Sequence, residues 1–95
     1  MGRSEGEEVF MDDVALKKQQ EFWQRARKGV LSHLAEKGGT MPMADLHDFS
    51  MNKFLIQHQR FSEMMESFVN ERLVQFDWAK EEATITETGK EFITK

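Results

Sequence analysis

The segment Phe61-Ser62-Glu63-Met64-Met65-Glu66-Ser67-Phe68-Val69-Asn70-Glu71-Arg72-Leu73 runs straight into Val74-Gln75-Phe76-Asp77-Trp78-Ala79, and the change of period between them decides the fold. In the first part, Phe61, Met64, Met65, Phe68, Val69 and Leu73 recur at helical spacing, the stripe of a helix with one buried face. In the second, Val74, Phe76 and Trp78 alternate with Gln75, Asp77 and Ala79, the period of a half-buried strand. Lys80-Glu81-Glu82 reads as a turn, and Ala83 and Ile85 alternate with Thr84 and Thr86 as the return strand. A two-stranded ribbon is marginal alone. Its Val74, Phe76, Trp78 and Ile85 face is therefore expected to lie on the helices. Thr86 is placed to cap a closing helical turn through Gly89, Lys90, Phe92 and Ile93.

Upstream of the long helix, expected over about Gln57 to Arg72, Ala44 to Phe49 reads as a short helix with Leu46 and Phe49 inward. Ser50-Met51-Asn52-Lys53 looks like a break, and Phe54-Leu55-Ile56 is an apolar run whose state the period leaves open. Thr40-Met41-Pro42-Met43 is a short extended piece, because Pro42 biases Met41 away from helix. Before it lies a helix running from a cap at Asp12 or Asp13 to Lys37, with Trp23, Ala26, Val30 and Leu34 on one stripe. Phe22 and Leu31 widen that stripe, while Arg25, Arg27, Lys28 and Ser32 fall off it. Gly29 weakens the helix slightly, and Gly38-Gly39 stops it. Val9, Leu16, Trp23 and Val30 recur every seven residues, so this helix can also pack on a second copy as a homodimer. Residues 1–9 read as a disordered acidic tail, and 10–95 as one domain with an extended N-terminal helix.

The 95 residues, 39% hydrophobic and 32% charged, suit one small soluble domain. Cysteine is absent, which removes disulfides, thiolate zinc sites and a cysteine nucleophile together. No apolar run approaches transmembrane length, and the acidic N-terminus does not resemble a secretory signal. A cytoplasmic location with no membrane partner is the expectation. The net charge is −4 and the isoelectric point about 5.4. That is opposite to the usual footprint of a nucleic-acid binder. One basic cluster, Arg25, Arg27 and Lys28, stands against the trend.

Three segments carry a family resemblance. Val30-Leu31-Ser32-His33-Leu34-Ala35-Glu36-Lys37-Gly38-Gly39 looks like a first helix with its glycine stop. Phe68-Val69-Asn70-Glu71-Arg72-Leu73-Val74 looks like a third helix entering a first wing strand. Ile85-Thr86-Glu87-Thr88-Gly89-Lys90-Glu91-Phe92, the most specific, looks like a second wing strand turning into a closing helix. Together, over about residues 28–93, the chain resembles the winged-helix branch of the helix-turn-helix superfamily. The resemblance implies a mainly α fold with a small β-hairpin (α+β): a three-helix core plus a two- to three-stranded wing sheet. It also implies a non-enzymatic DNA-binding protein, a transcriptional regulator acting as a dimer on double-stranded DNA. There are two departures. Arg72 stands where the family often has glycine, and Leu46 to Phe61 is about one helical turn longer than a minimal helix-turn-helix needs.

In that family the start of the recognition helix meets base edges. Here it reads Gln57-His58-Gln59-Arg60, with Ser62 behind. Glutamine can pair with adenine and arginine with guanine, so these five are the base-reading candidates. Arg25, Arg27, Lys28, Lys53 and Lys80 are the phosphate-contact candidates; four such contacts would give a salt slope of roughly −3 to −4. Further along the same helix, Glu63, Glu66 and Glu71 would repel phosphates, and Lys80 is flanked by Glu81 and Glu82. These acids support a rival from another class, a protein-interaction module with an acidic binding face. No catalytic constellation, phosphate loop, cofactor or metal-ligand spacing is read from the sequence, since His33, His47 and His58 lack the zinc pattern. The Met64-Met65 pair reads as core rather than as a ligand box.

Overall fold

A computed structural model describes residues 2–94, with side chains from Val14 onward. Helix α1 (Gly2–Glu36) stops where Gly38 and Gly39 take φ of 92° and 91°, a left-handed reversal that glycine enters without Cβ clash. Strand β1 (Thr40–Pro42) follows, then α2 (Met43–Phe54) and α3 (His58–Asn70). The hairpin β2 (Val74–Asp77) and β3 (Glu82–Ile85) leads into α4 (Glu87–Ile93). The chain is thus mostly helical with a small antiparallel sheet of order β1-β3-β2. Helix α1 begins at Gly2, ahead of the start expected at Asp12 or Asp13, and takes in residues 2–9 of the expected tail.

The sheet register puts apolar residues on one face. Met41 pairs with Ala83 and Ala83 with Phe76, while Val74 pairs with Ile85. Thr40, Thr84 and Gln75 form the opposite row, with the two threonine hydroxyls 2.9 Å apart. Pro42 sits on an edge strand, where a missing N–H costs no ladder bond. The core beneath joins Ala26, Val30, Leu31 and Leu34 of α1 to Leu46, Phe61, Met64, Met65 and Phe68, and to Val74, Ala83 and Ile85. Both members of the Met64-Met65 pair are buried, as read.

Several readings need correction. Ser50 does not break a helix. It is buried within α2 and its hydroxyl donates to the Leu46 carbonyl at 2.9 Å, so α2 continues to Phe54. The helix ends instead at Leu55, with φ 58°, where its N–H and that of Ile56 return to the Met51 and Ser50 carbonyls. Gly29 is more than a weak point, because the Phe54 ring occupies the space a Cβ would take. The partly buried His33 ring stacks on Phe49 with centroids 3.7 Å apart. Phe22 does not widen the buried stripe, being 43% exposed. The long helix stops at Asn70, and Arg72 takes φ 62° in the turn that follows, the position where glycine would be relaxed.

The largest correction concerns Trp78, which is 82% exposed rather than packed on the helices. Strand β2 ends at Asp77, whose Oδ1 accepts the N–H groups of Ala79 and Lys80 at 3.0 and 3.2 Å. That turn takes Trp78 out of the strand. The apolar face of the ribbon fades from buried Val74 through half-buried Phe76 to Trp78, because the ribbon outruns the helices beneath it. Trp78 meets Phe76 edge to face at 4.3 Å.

One contact closes the fold. The Thr86 hydroxyl caps α4 by accepting the Gly89 N–H at 3.0 Å, as read from the sequence. The same hydroxyl donates to the Arg72 carbonyl, and Thr86 N–H donates to the Leu73 carbonyl at 3.0 Å. A Cβ on Gly89 would collide with that Leu73 carbonyl and lie 2.7 Å from Ile85 Cγ1. Alanine is the better helix former by about 1 kcal/mol. Overpacking against backbone outweighs that, so Gly89→Ala is expected to lose about 1–3 kcal/mol overall. Denaturant unfolding checks this; an unchanged or raised midpoint would mean the junction is looser than described.

Candidate functional site

Helix α3 divides the sequence-derived candidates between two sides. Phe61, Met64, Met65 and Phe68 face the core. His58, Ser62, Glu66, Val69 and Asn70 flank that buried stripe on the side of the hairpin. Arg60 flanks it on the other side, against α1, with its guanidinium 4.3 Å from the centre of the Trp23 ring. The same guanidinium donates to Glu63 Oε1 at 2.6 Å. Gln57 is the N-cap residue of α3 and is exposed, as are His58, Gln59 and Ser62. The five base-reading candidates are therefore not on one face. Gln57 to Gln59 and Ser62 remain open, while Arg60 is engaged within the chain.

The phosphate set also splits. Arg27 needs outright correction, because it is 4% exposed and does not present a charge to solvent. Its Nη2 lies 2.8 Å from Glu71 Oε1, and Nη1 donates to Gln24 Oε1 at 3.1 Å. Its guanidinium carbon sits 5.3 Å from the Phe68 ring and 5.5 Å from the Phe92 ring. Nε is buried without a hydrogen-bond partner among the described residues. The side chain is a planar filler between α1, α3 and α4 as much as a charge. Sequence period placed it off the buried stripe because arginine is not counted as apolar, whereas the site is aromatic. Arg25 and Lys28 are exposed on the face of α1 turned away from α3, since Trp23, Ala26, Arg27 and Val30 occupy the near face. Lys53 lies in the last turn of α2 and Lys80 in the hairpin turn. These cations do not converge on the open side of α3.

What does converge there is an apolar groove of about 580 Å³ between α2, α3 and the hairpin. Met65 and Val69 form one wall, Phe76 and Trp78 the other, and Met43 and Phe61 lie at the α2 end. Two acids, Glu66 and Glu81, line it. At the same end the His47 and His58 rings lie 5.4 Å apart, and His47 meets Phe61 edge to face at 5.1 Å. His47 Nε2 is buried without a hydrogen-bond partner among the described residues, while Nδ1 lies 3.7 Å from Asp48 Oδ1. The groove is held open from below. The Met43 N–H at the start of α2 donates to the Glu81 carbonyl at 2.8 Å, which ties the hairpin turn to the helix.

Sequence reasoning missed this groove. Alternation assigns Phe76 and Trp78 to the core and helical period assigns Phe61, Met65 and Val69 there, so the available signals were Trp78 two positions from a turn and the acids Glu66 and Glu81. Among the described residues no group of three or more His, Asp or Glu could hold a metal ion, and no helix is long and apolar enough to cross a membrane. The chain matches no family model, and neither the curated proteins nor the solved structures yield a significant likeness.

The Arg27 site makes a prediction about kind as well as size. Arg27→Ala removes packing between Phe68 and Phe92 and is expected to cost about 2–4 kcal/mol. Arg27→Met keeps the stem, and half-exposed Glu71 can turn to water, so most of the loss is recovered. Unfolding midpoints of the two variants check this. Equal losses would assign the site to charge instead of packing.

Proposed function

We propose that this chain is a non-enzymatic winged-helix protein-interaction module, and that the groove between α3 and the hairpin is its docking surface. The order helix, strand, helix, helix, strand, strand supports the winged-helix reading, as do the central β3 and the ribbon projecting past α3. The occurrence of Arg72 at a left-handed position fits the same reading, because that is where the family often has glycine. Fold analogy does not choose between DNA and protein as the ligand. The site does.

The observation that carries the choice is Trp78, held 82% exposed beside Phe76, Met65 and Val69. Single exposed apolar residues are ordinary, but a contiguous apolar groove with an open tryptophan marks a protein contact. Glu66 and Glu81 on its rim favour a basic partner.

Duplex DNA is the second reading, favoured by the exposed Gln57, His58, Gln59 and Ser62 at the start of α3. It has less behind it. Arg27 is buried, Arg60 is held by Trp23 and Glu63, and Glu63 and Glu66 lie on the outward face of α3. A phosphate backbone would meet carboxylates there.

Two titrations separate the readings. In a Trp23→Phe background, Trp78 is the only tryptophan. A synthetic leucine- and lysine-rich helical peptide is expected to shift its emission to the blue, and Val69→Asp is expected to abolish the shift. A labelled random-sequence duplex at low salt is expected to give no saturable rise in anisotropy. Saturable duplex binding that falls with salt and with Arg60→Ala would replace this proposal by the DNA reading.

A further inference from the structure

We infer that the occupant of the groove is helix α1 of a second copy of this chain, each copy laying its α1 in the groove of the other. This rests on the reading of the groove as a protein-docking surface and names the partner.

The argument starts from what α1 leaves uncovered. Every described side chain from Val14 to Phe22 is exposed. Nothing of the domain packs there, yet isolated helix of that length is marginal in water. Val14, Leu16 and Phe22 are all apolar and open. Within this segment Ala15, Lys18, Phe22 and Arg25 recur at i, i+3, i+7 and i+10, which puts them on one face. That face lies to the side of the body, because Trp23, Ala26, Arg27 and Val30 turn a different face to α3 and the core. It therefore cannot reach the groove of its own chain, which lies across α3 from α1.

The two surfaces are complementary. Residues 14–25 carry Lys17, Lys18 and Arg25 against Glu21 alone. The groove carries Glu66 and Glu81 and no lysine or arginine. Phe22, 43% exposed, offers an apolar side chain to the trough of Val69 and Trp78, and Lys18 and Arg25, one turn before it and one after, offer opposite charge to the two acids. The other large exposed apolar side chains, Met51 and Leu55, belong to neither surface. A two-fold axis would bury both surfaces twice, which is how one modest groove can sustain a dimer. Two members of the alternative helix-to-helix seam, Trp23 and Val30, are already engaged within the chain. Val30 is fully buried, and Trp23 packs on the core beneath Arg60.

A charge-reversal cycle read by sedimentation equilibrium tests this on the full chain. The wild type is expected to be a dimer. Lys18→Glu with Arg25→Glu should weaken dimerisation by about tenfold or more, and so should Glu66→Lys with Glu81→Lys. Mixing the two double variants should restore dimers, because each helix then meets a groove of opposite sign. All four positions are exposed, and an unchanged circular-dichroism spectrum separates lost association from lost folding. A monomeric wild type, or a groove variant that dimerises like the wild type, or a mixture that stays monomeric, would each overturn the inference. The basic-peptide titration of Trp78, run on the Lys18→Glu, Arg25→Glu chain so that no α1 of a second copy fills the groove, keeps the two failures apart. A monomer whose Trp78 responds to peptide retains the docking groove with another occupant, and one whose Trp78 does not respond loses both.

Discussion

The junction where the end of α3 meets the start of α4 holds the rest of the molecule in place. Thr86 ties to the Arg72 and Leu73 carbonyls, and Gly89 lies flat against Leu73 with no side chain between. These contacts fix the last turn of α3, the first residue of β2, the last of β3 and the entry of α4 relative to one another. Since Val74 pairs with Ile85 beside this point, the register of the whole ribbon follows from it. The direction in which the ribbon leaves the body, and hence the width of the groove beside α3, is set here.

Arg27 performs the matching task on the other side of α3. Its guanidinium lies between the Phe68 and Phe92 rings and reaches Glu71, so α1, α3 and α4 meet around one planar cation. A buried charge of this kind is expensive unless it is paired and surrounded by polarisable faces. The consequence for function is direct. The cation that could have reached a phosphate is spent on packing, and Arg60 is likewise held by Trp23. Two positive charges near α3 are removed from its outward face, and the surface left there is acidic beside an apolar trough.

Basic and acidic charge, each beside exposed apolar side chains, thereby lie on different faces of the molecule. The α1 face with Lys18, Phe22 and Arg25 points one way, and the trough with Glu66, Glu81 and Trp78 opens another way. Neither surface can be satisfied within one chain. In the proposed reading, a partner brings to the trough what α1 offers, whether that partner is a second copy or another basic helix.

Much of the architecture was legible from residue spacing. The switch of period after Leu73, the Gly38-Gly39 stop, the extended Thr40–Pro42 piece and the Thr86 cap all follow from local backbone chemistry, which sequence carries directly. The left-handed turn at Leu55 and the continuity of α2 through Ser50 were not legible, because burial of Ser50 and Ile56 against the rest of the domain overrides local preference there. Alternation says which way a side chain points, not whether anything lies beneath it. The sequence placed Phe76 and Trp78 on the apolar face of a strand; only the relative lengths of ribbon and helix decided that Val74 is covered and Trp78 is not. Period likewise put Arg27 among the polar positions, and only the meeting of three helices turned it inward. Local structure is fixed by neighbours along the chain, whereas burial at the edges of a small domain depends on where distant elements end.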